Sequence, residues 1–164
     1  MPEILDIINM DDQVIGQATR EDVYANNHMH RIVHIFVRDR AGRFLLQIRS
    51  ATVKYRPLHW STAAGGHVQT GETYEEAARR ELEEEIGLTQ GELREVGKFY
   101  YQPRELSKYL WVFEFVTDEE IAVGEEVAST QFFSYEQAHE LITTHDQIHP
   151  ELKFLWEKLY LSNI

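Results

Sequence analysis

Between Arg80 and Glu85 the chain reads Arg-Glu-Leu-Glu-Glu-Glu, four carboxylates in five positions. On a helix, at ~100° per residue, Glu84 lies about 60° to one side of Glu81 and Glu85 about 40° to the other. Those three share one arc, while Glu83 points elsewhere. Like charges placed together repel, and one or more is driven toward protonation unless a cation intervenes. A hard divalent cation answers that need: Mg²⁺ and Mn²⁺ take oxygen ligands and commonly bind together with substrate phosphates. The competing reading is a solvated helix face whose acids serve solubility.

The segment has the signals of a helix. Thr73 is a plausible N-cap and Glu76, three residues on, completes a capping box. Tyr74, Ala78, Leu82 and Ile86 recur at i+4 as a core-facing stripe, and Gly87 is a C-terminal stop. The carboxylate arc flanks that stripe, which places it at the core boundary. Ahead of the helix, Ile32–Val37 and Phe44–Ile48 read as a hairpin turning at Asp39–Gly42. Pro57 to Gly66 reads as a loop, extended only around Trp60 and ended by the breaker Gly65-Gly66. After it come strand-like Val96–Tyr101 and Tyr109–Val116, an acidic loop from Asp118 to Glu126, and a short strand at Gln131–Phe133. Helical segments follow near Tyr135–Thr143 and Pro150–Leu161. Ile4–Ile8 reads as a short strand with a turn at Asn9–Asp12, and residues 1–28 as a peripheral segment. Strands with helices inserted between them indicate an α/β or α+β sandwich.

A wider spacing decides between the two readings of the glutamates. Gly66, Glu72, Arg80-Glu81-Leu82, Glu84-Glu85 and Gly87-Leu88 fill all nine specified positions of G-x5-E-x7-R-E-U-x-E-E-x-G-U, with U aliphatic. At ordinary residue frequencies an accidental match is on the order of 10⁻⁷. The chain therefore resembles the Nudix hydrolases. The resemblance implies an α/β/α sandwich with a mixed central sheet and a loop–helix–loop box, core over residues 30–160, in one domain spanning 1–164. It also implies Mg²⁺- or Mn²⁺-dependent attack of water on a diphosphate linked to another moiety. By position, Glu81, Glu84, Glu85 and the Gly66 carbonyl match metal ligands, and Arg80 with Glu72 matches the ion pair that orients them. Glu81 and Glu84 both match positions assigned as the base, with Glu81 favoured. A further ligand from a later loop falls at Glu126, with Glu125 its near competitor.

The stretch from Trp60 to His67, with His30 upstream, is also similar to isopentenyl diphosphate isomerase. The cysteine of that enzyme is here Gly65, and its acidic pair is replaced by Leu106-Ser107-Lys108-Tyr109. The closer likeness is to isomerase-like Nudix hydrolases. A non-catalytic nucleotide-sensing domain stays open as the alternative.

Composition agrees. The 164 residues carry a formal net charge of −12 and no cysteine. That excludes disulfides, thiolate metal sites and thiol nucleophiles, and disfavours a nucleic-acid polymer or an anionic membrane as partner. No apolar run approaches a membrane span and the acidic N-terminus does not read as a signal peptide, so a cytoplasmic location is expected. The expected partner is a small nucleotide-derived diphosphate; a homodimer is left open. Residues 31–56 run against the general charge, with seven basic residues and one acid. Within or near that stretch Arg49, Lys54 and Arg56 are the candidate phosphate contacts, since basic side chains suit phosphate oxygens. His67 is either a ligand contact or polar lining. His30 and His34 share a strand face, with a structural role favoured over a metal site. Tyr55, Trp60, Phe99 and Tyr101 are candidates for stacking on a base, with core packing the stronger reading.

Overall fold

A computed structural model describes residues 2–161. The chain begins with an antiparallel hairpin, β1 (Ile4–Ile8) and β2 (Val14–Thr19), and a short helix α1 (Arg20–Ala25). The central strand β3 (His30–Arg38) runs parallel to β8 (Lys108–Val116), which pairs antiparallel with β7 (Leu93–Tyr101). The other edge of β3 is divided. Val37 and Arg38 pair with β4 (Phe44–Arg49), whereas Ile32–Ile35 pair with β6 (Ala64–His67). Beyond that point β4 parts from β3 and pairs with β5 (Trp60–Thr62) on one side and β9 (Val127–Phe133) on the other. The β5–β6 segment thus fills the gap between two diverging strands of one seven-stranded sheet.

The period-2 alternation of β3 builds two cores. Val33, Ile35 and Val37 pack under α2 (Tyr74–Ile86), against Ala77, Ala78, Leu82 and Ile86. Ile32 and Phe36 face the opposite layer, α3 (Tyr135–Thr144) and α4 (Pro150–Trp156), against Ile142, Leu152, Leu155 and Trp156. The chain then continues as a π-helical turn, Glu157–Leu161. Helices on both faces of a mixed sheet make the expected α/β/α sandwich. Among the described residues no helix is long and apolar enough to cross a membrane.

Two local expectations change. Gly65-Gly66 is not a breaker but the middle of β6, because tight packing at those positions tolerates no side chain. A Cβ on Gly65 would sit 2.7 Å from the Val33 carbonyl oxygen, and one on Gly66 would sit 2.5 Å from Glu81 Oε1. The N-terminal segment is not peripheral. Leu5 bridges Gln69, and Thr70 Oγ1 donates to Asp6 at 2.7 Å. Asp12 accepts from Arg31, Tyr74 and Lys98 at 2.6–2.9 Å. The hairpin is thereby fastened to the loop that starts α2.

Candidate active site

Helix α2 starts and stops where its sequence says. Thr73 accepts from the Glu76 amide while the Glu76 side chain accepts from the Thr73 amide, and Gly87 closes the helix at φ 71°. Burying the Tyr74/Ala78/Leu82/Ile86 stripe carries Glu81 and Glu85 out of water, at 8% and 6% exposure. Glu84 stays on the rim, and Glu83 is exposed. The arc read from the sequence is therefore two buried carboxylates with a third beside them.

Arg80 organises the group. It holds Glu72 through two bonds, Nε to Oε2 at 2.7 Å and Nη2 to Oε1 at 3.0 Å. Its Nη1 donates to Glu81 at 2.9 Å and reaches Glu84 at 3.3 Å, and its Nη2 also donates to the His67 carbonyl at 3.0 Å. Glu85 accepts from Gln47 Nε2 at 2.7 Å and from the Gly65 amide at 3.3 Å. Burial and the charge of Glu85 push Glu81 up to about 10. Burial also raises Glu85, against its hydrogen bonds, with the nearby Glu126 adding to the rise. The two carboxyls share a proton because one guanidinium cannot offset both charges.

The donor chemistry suits a hard divalent cation. Two carboxylates buried side by side are oxygen donors of the kind such an ion takes, and the Gly66 carbonyl belongs to the strand Glu81 presses on. Among the described residues no three acidic or imidazole side chains stand in closed coordinating geometry. Arg80 accounts for part of this, since it occupies Glu81 and Glu84 itself.

These residues open on a cleft of about 310 Å³. Gly66, Arg80, Glu81, Glu84, Glu85, Glu126, Arg49 and His67 all line it; Glu125, Lys54 and Arg56 do not. Arg49 Nε donates to the Tyr55 carbonyl at 3.0 Å. Lys54 and Arg56 are exposed on the loop beyond. Much of the basic stretch is otherwise spent: Arg31, Arg38, Arg40 and Arg43 pair with Asp12, Glu114, Asp118 and Asp39. His67 touches no box carboxylate; it meets Tyr24 at 2.7 Å and Glu3 at 3.2 Å. Trp60, Phe99 and Tyr101 pack in the second core, and Tyr55 lines the cleft.

The sequence reading missed the opposite wall. Lys108 Nζ donates to Glu151 Oε2 at 2.8 Å, and Glu151 Oε1 meets His34 Nε2 at 2.9 Å. All three are buried. Burial works against both charges, but Lys108 and His34 hold Glu151 well below the usual range, and Glu151 in turn keeps Lys108 raised. His149, beside them, is held neutral by burial, down at about 3. His34 was read as sharing a strand face with His30, in a structural role, but without its partner Glu151. The separation of 117 positions from His34 to Glu151 gave no spacing to read.

The NUDIX domain family matches residues 28–154. The chain belongs to the Nudix family. It is 46% identical over 87 residues to an uncharacterized Nudix hydrolase of Streptomyces coelicolor, covering 53% of this chain and 48% of that protein. It is 36% identical over 127 residues to the uncharacterized Nudix hydrolase YfcD of Escherichia coli K12, covering 77% of this chain and 71% of that one. The chain thus spans about half the length of the first relative. The crystal structure of DR0079 from Deinococcus radiodurans superposes with a TM-score of 0.85 at 29% identity, over 96% of this chain and 99% of that one. The Streptomyces and Escherichia relatives of the Nudix chain are both named as Nudix hydrolases.

Proposed function

We propose that this Nudix protein hydrolyses, with Mg²⁺ or Mn²⁺, a phosphoric anhydride bond in a nucleoside diphosphate joined to a further moiety, and that it does so in the cytoplasm as one domain. The observation that carries the reading is the pair Glu81 and Glu85, buried side by side beside Arg80 and short of positive charge. Glu81, Glu84, Glu85, the Gly66 carbonyl and Glu126 would hold the ion. When bound, it neutralises phosphoryl oxygens and makes water a stronger nucleophile. The chain's own groups do the rest. Arg80 fixes the orientation of Glu81 and Glu84 through its bonds to both and to Glu72. One of these glutamates, Glu81 by preference, takes the proton of the attacking water. The water oxygen bonds to phosphorus, the bridging P–O bond breaks, and the released phosphate leaves with its electron pair.

Two observations count against allylic isomerisation: Gly65 has no room for a reactive side chain, and the stretch Leu106-Ser107-Lys108-Tyr109 lacks the acidic pair. The test is turnover of a panel of nucleoside diphosphate derivatives, with isopentenyl diphosphate included. Nucleoside monophosphate formed with Mg²⁺ and not with EDTA supports the proposal. Binding without cleavage across the panel would favour the sensing domain, and dimethylallyl diphosphate would favour the isomerase.

A further inference from the structure

The cleft has a second pole that the box does not explain. The charges acting on Glu81 are Glu85, Arg80 and Glu84, whereas Lys108 acts on Tyr24, His149 and Glu151. Tyr24 is the centre of this second pole. Its hydroxyl is anchored to His67 at 2.7 Å, and His67 is anchored to Glu3. Around its ring stand two cations, the Arg20 guanidinium at 5.8 Å from the centroid and Lys108 Nζ at 5.7 Å.

Neither cation is fully used. Among the described residues Arg20 makes no ion pair at salt-bridge distance; its charge acts on Glu3, which lines the same cleft. Lys108 has three donors and one hydrogen-bond acceptor, Glu151. Both line the same cleft as the box glutamates. Arg20 and Tyr24 precede residue 28, where the family match begins, while His67 and Lys108 lie within it.

We propose that Arg20 and Lys108, gathered around Tyr24, are specificity-determining residues that bind a second anionic group, a phosphate or a carboxylate, on the moiety attached to the substrate's diphosphate. The inference rests on the diphosphate hydrolase reading. A neutral moiety leaves the Arg20 fork and the remaining Lys108 donors without a charged acceptor, while an anionic one offers them charge-assisted hydrogen bonds. Anchoring through His67 couples the pole to the box loop, whose His67 carbonyl Arg80 holds.

The test is calorimetric titration in Mg²⁺, with Glu84→Gln as background to suppress turnover. Three ligands share one nucleotide: glucose-linked uridine diphosphate, its glucuronate counterpart, and uridine triphosphate. Tighter binding of the last two by about tenfold or more is expected, the glucuronate arm reporting carboxylate and the triphosphate arm phosphate. Arg20→Gln should bring all three within about threefold without changing the glucose-linked ligand, and Arg20→Lys should keep most of the preference. Arg20 is half-buried, so this variant should melt with its parent; Lys108→Met, in the buried ion pair, is the second line. Equal affinity for charged and neutral ligands, failure of all three to bind, or equal weakening of all three by Arg20→Gln overturns the assignment. The hydrolase reading fails separately, by absence of turnover in the wild-type protein while binding persists.

Discussion

Replacing Glu81 by Gln should stabilise the metal-free protein while disabling it. The carboxyl is buried, shares a proton with Glu85 and is pushed up to about 10, against about 4.5 in an unfolded chain. Between those values the folded state binds a proton that the unfolded state has released, so stability falls as pH rises. Each pH unit in that window costs up to about 1.4 kcal/mol. The ceiling at pH 8 is therefore about 5 kcal/mol, and relaxation of Glu84 and Arg80 toward solvent brings the expectation to about 2. A glutamine at 81 reproduces the protonated form: its amide donates to Glu85 and its carbonyl accepts from Arg80 Nη1, the partner now at 2.9 Å. At ~2–4 °C per kcal/mol for a chain of this length, Glu81→Gln should melt about 4–8 °C above wild type at pH 8 in EDTA. Wild type should lose stability from pH 6 to 9, and the variant should be nearly level. Mg²⁺ should restore the wild type at pH 8 and barely move the variant, while turnover falls by at least ~10²-fold. A wild-type melt independent of pH in EDTA, or a variant less stable than wild type at pH 8, refutes the shared-proton argument.

Other outcomes follow from the same geometry. Glu84→Gln should slow hydrolysis by ~10²-fold with stability changed by about 1 kcal/mol or less, whereas Glu83→Gln, exposed on the helix, should do neither; equal damage from both would mean the helix face is assigned wrongly. Gly66→Ala puts a methyl 2.5 Å from Glu81 Oε1, so kcat should drop about tenfold or more in a protein that still folds by circular dichroism. Glu151→Gln leaves Lys108 and His34 without their buried counter-charge and should cost about 3–5 kcal/mol in denaturant melts; a loss under 1 kcal/mol would show the ion group to be solvated.

What could be read from the sequence was local. The capping box at Thr73 and Glu76, the apolar stripe and the Gly87 stop each act within one helix, and the structure repeats them residue for residue. The box itself is legible because metal ligands on one helix need fixed spacing. Long strands were read short: β9 begins at Val127, where the sequence reading began it at Gln131, because its pairing with β4 extends it past weak local signals. The Gly65-Gly66 strand was invisible because its cause lies in Val33 and Glu81, distant in sequence. Lys108 and Glu151 meet only once β3 and β8 pair with His30 opposite Lys108 and α4 docks against β5. Arg20 and Tyr24 join the cleft through a hairpin docked by the buried Leu5 and Ile8 and by polar contacts to Thr70 and Tyr74, partners too distant in sequence for local periodicity to show.

Binding of Mn²⁺ measured by calorimetry, on wild type and on Glu85→Gln, tests the central claim most directly. The two buried glutamates should make the wild type take up the ion with release of protons, and Glu85→Gln, which turns an amide toward Gln47 and the Gly65 N–H, should weaken binding by about tenfold or more. Equal affinity in the two proteins, with no proton release in either, would mean that the glutamates of α2 are not a metal site.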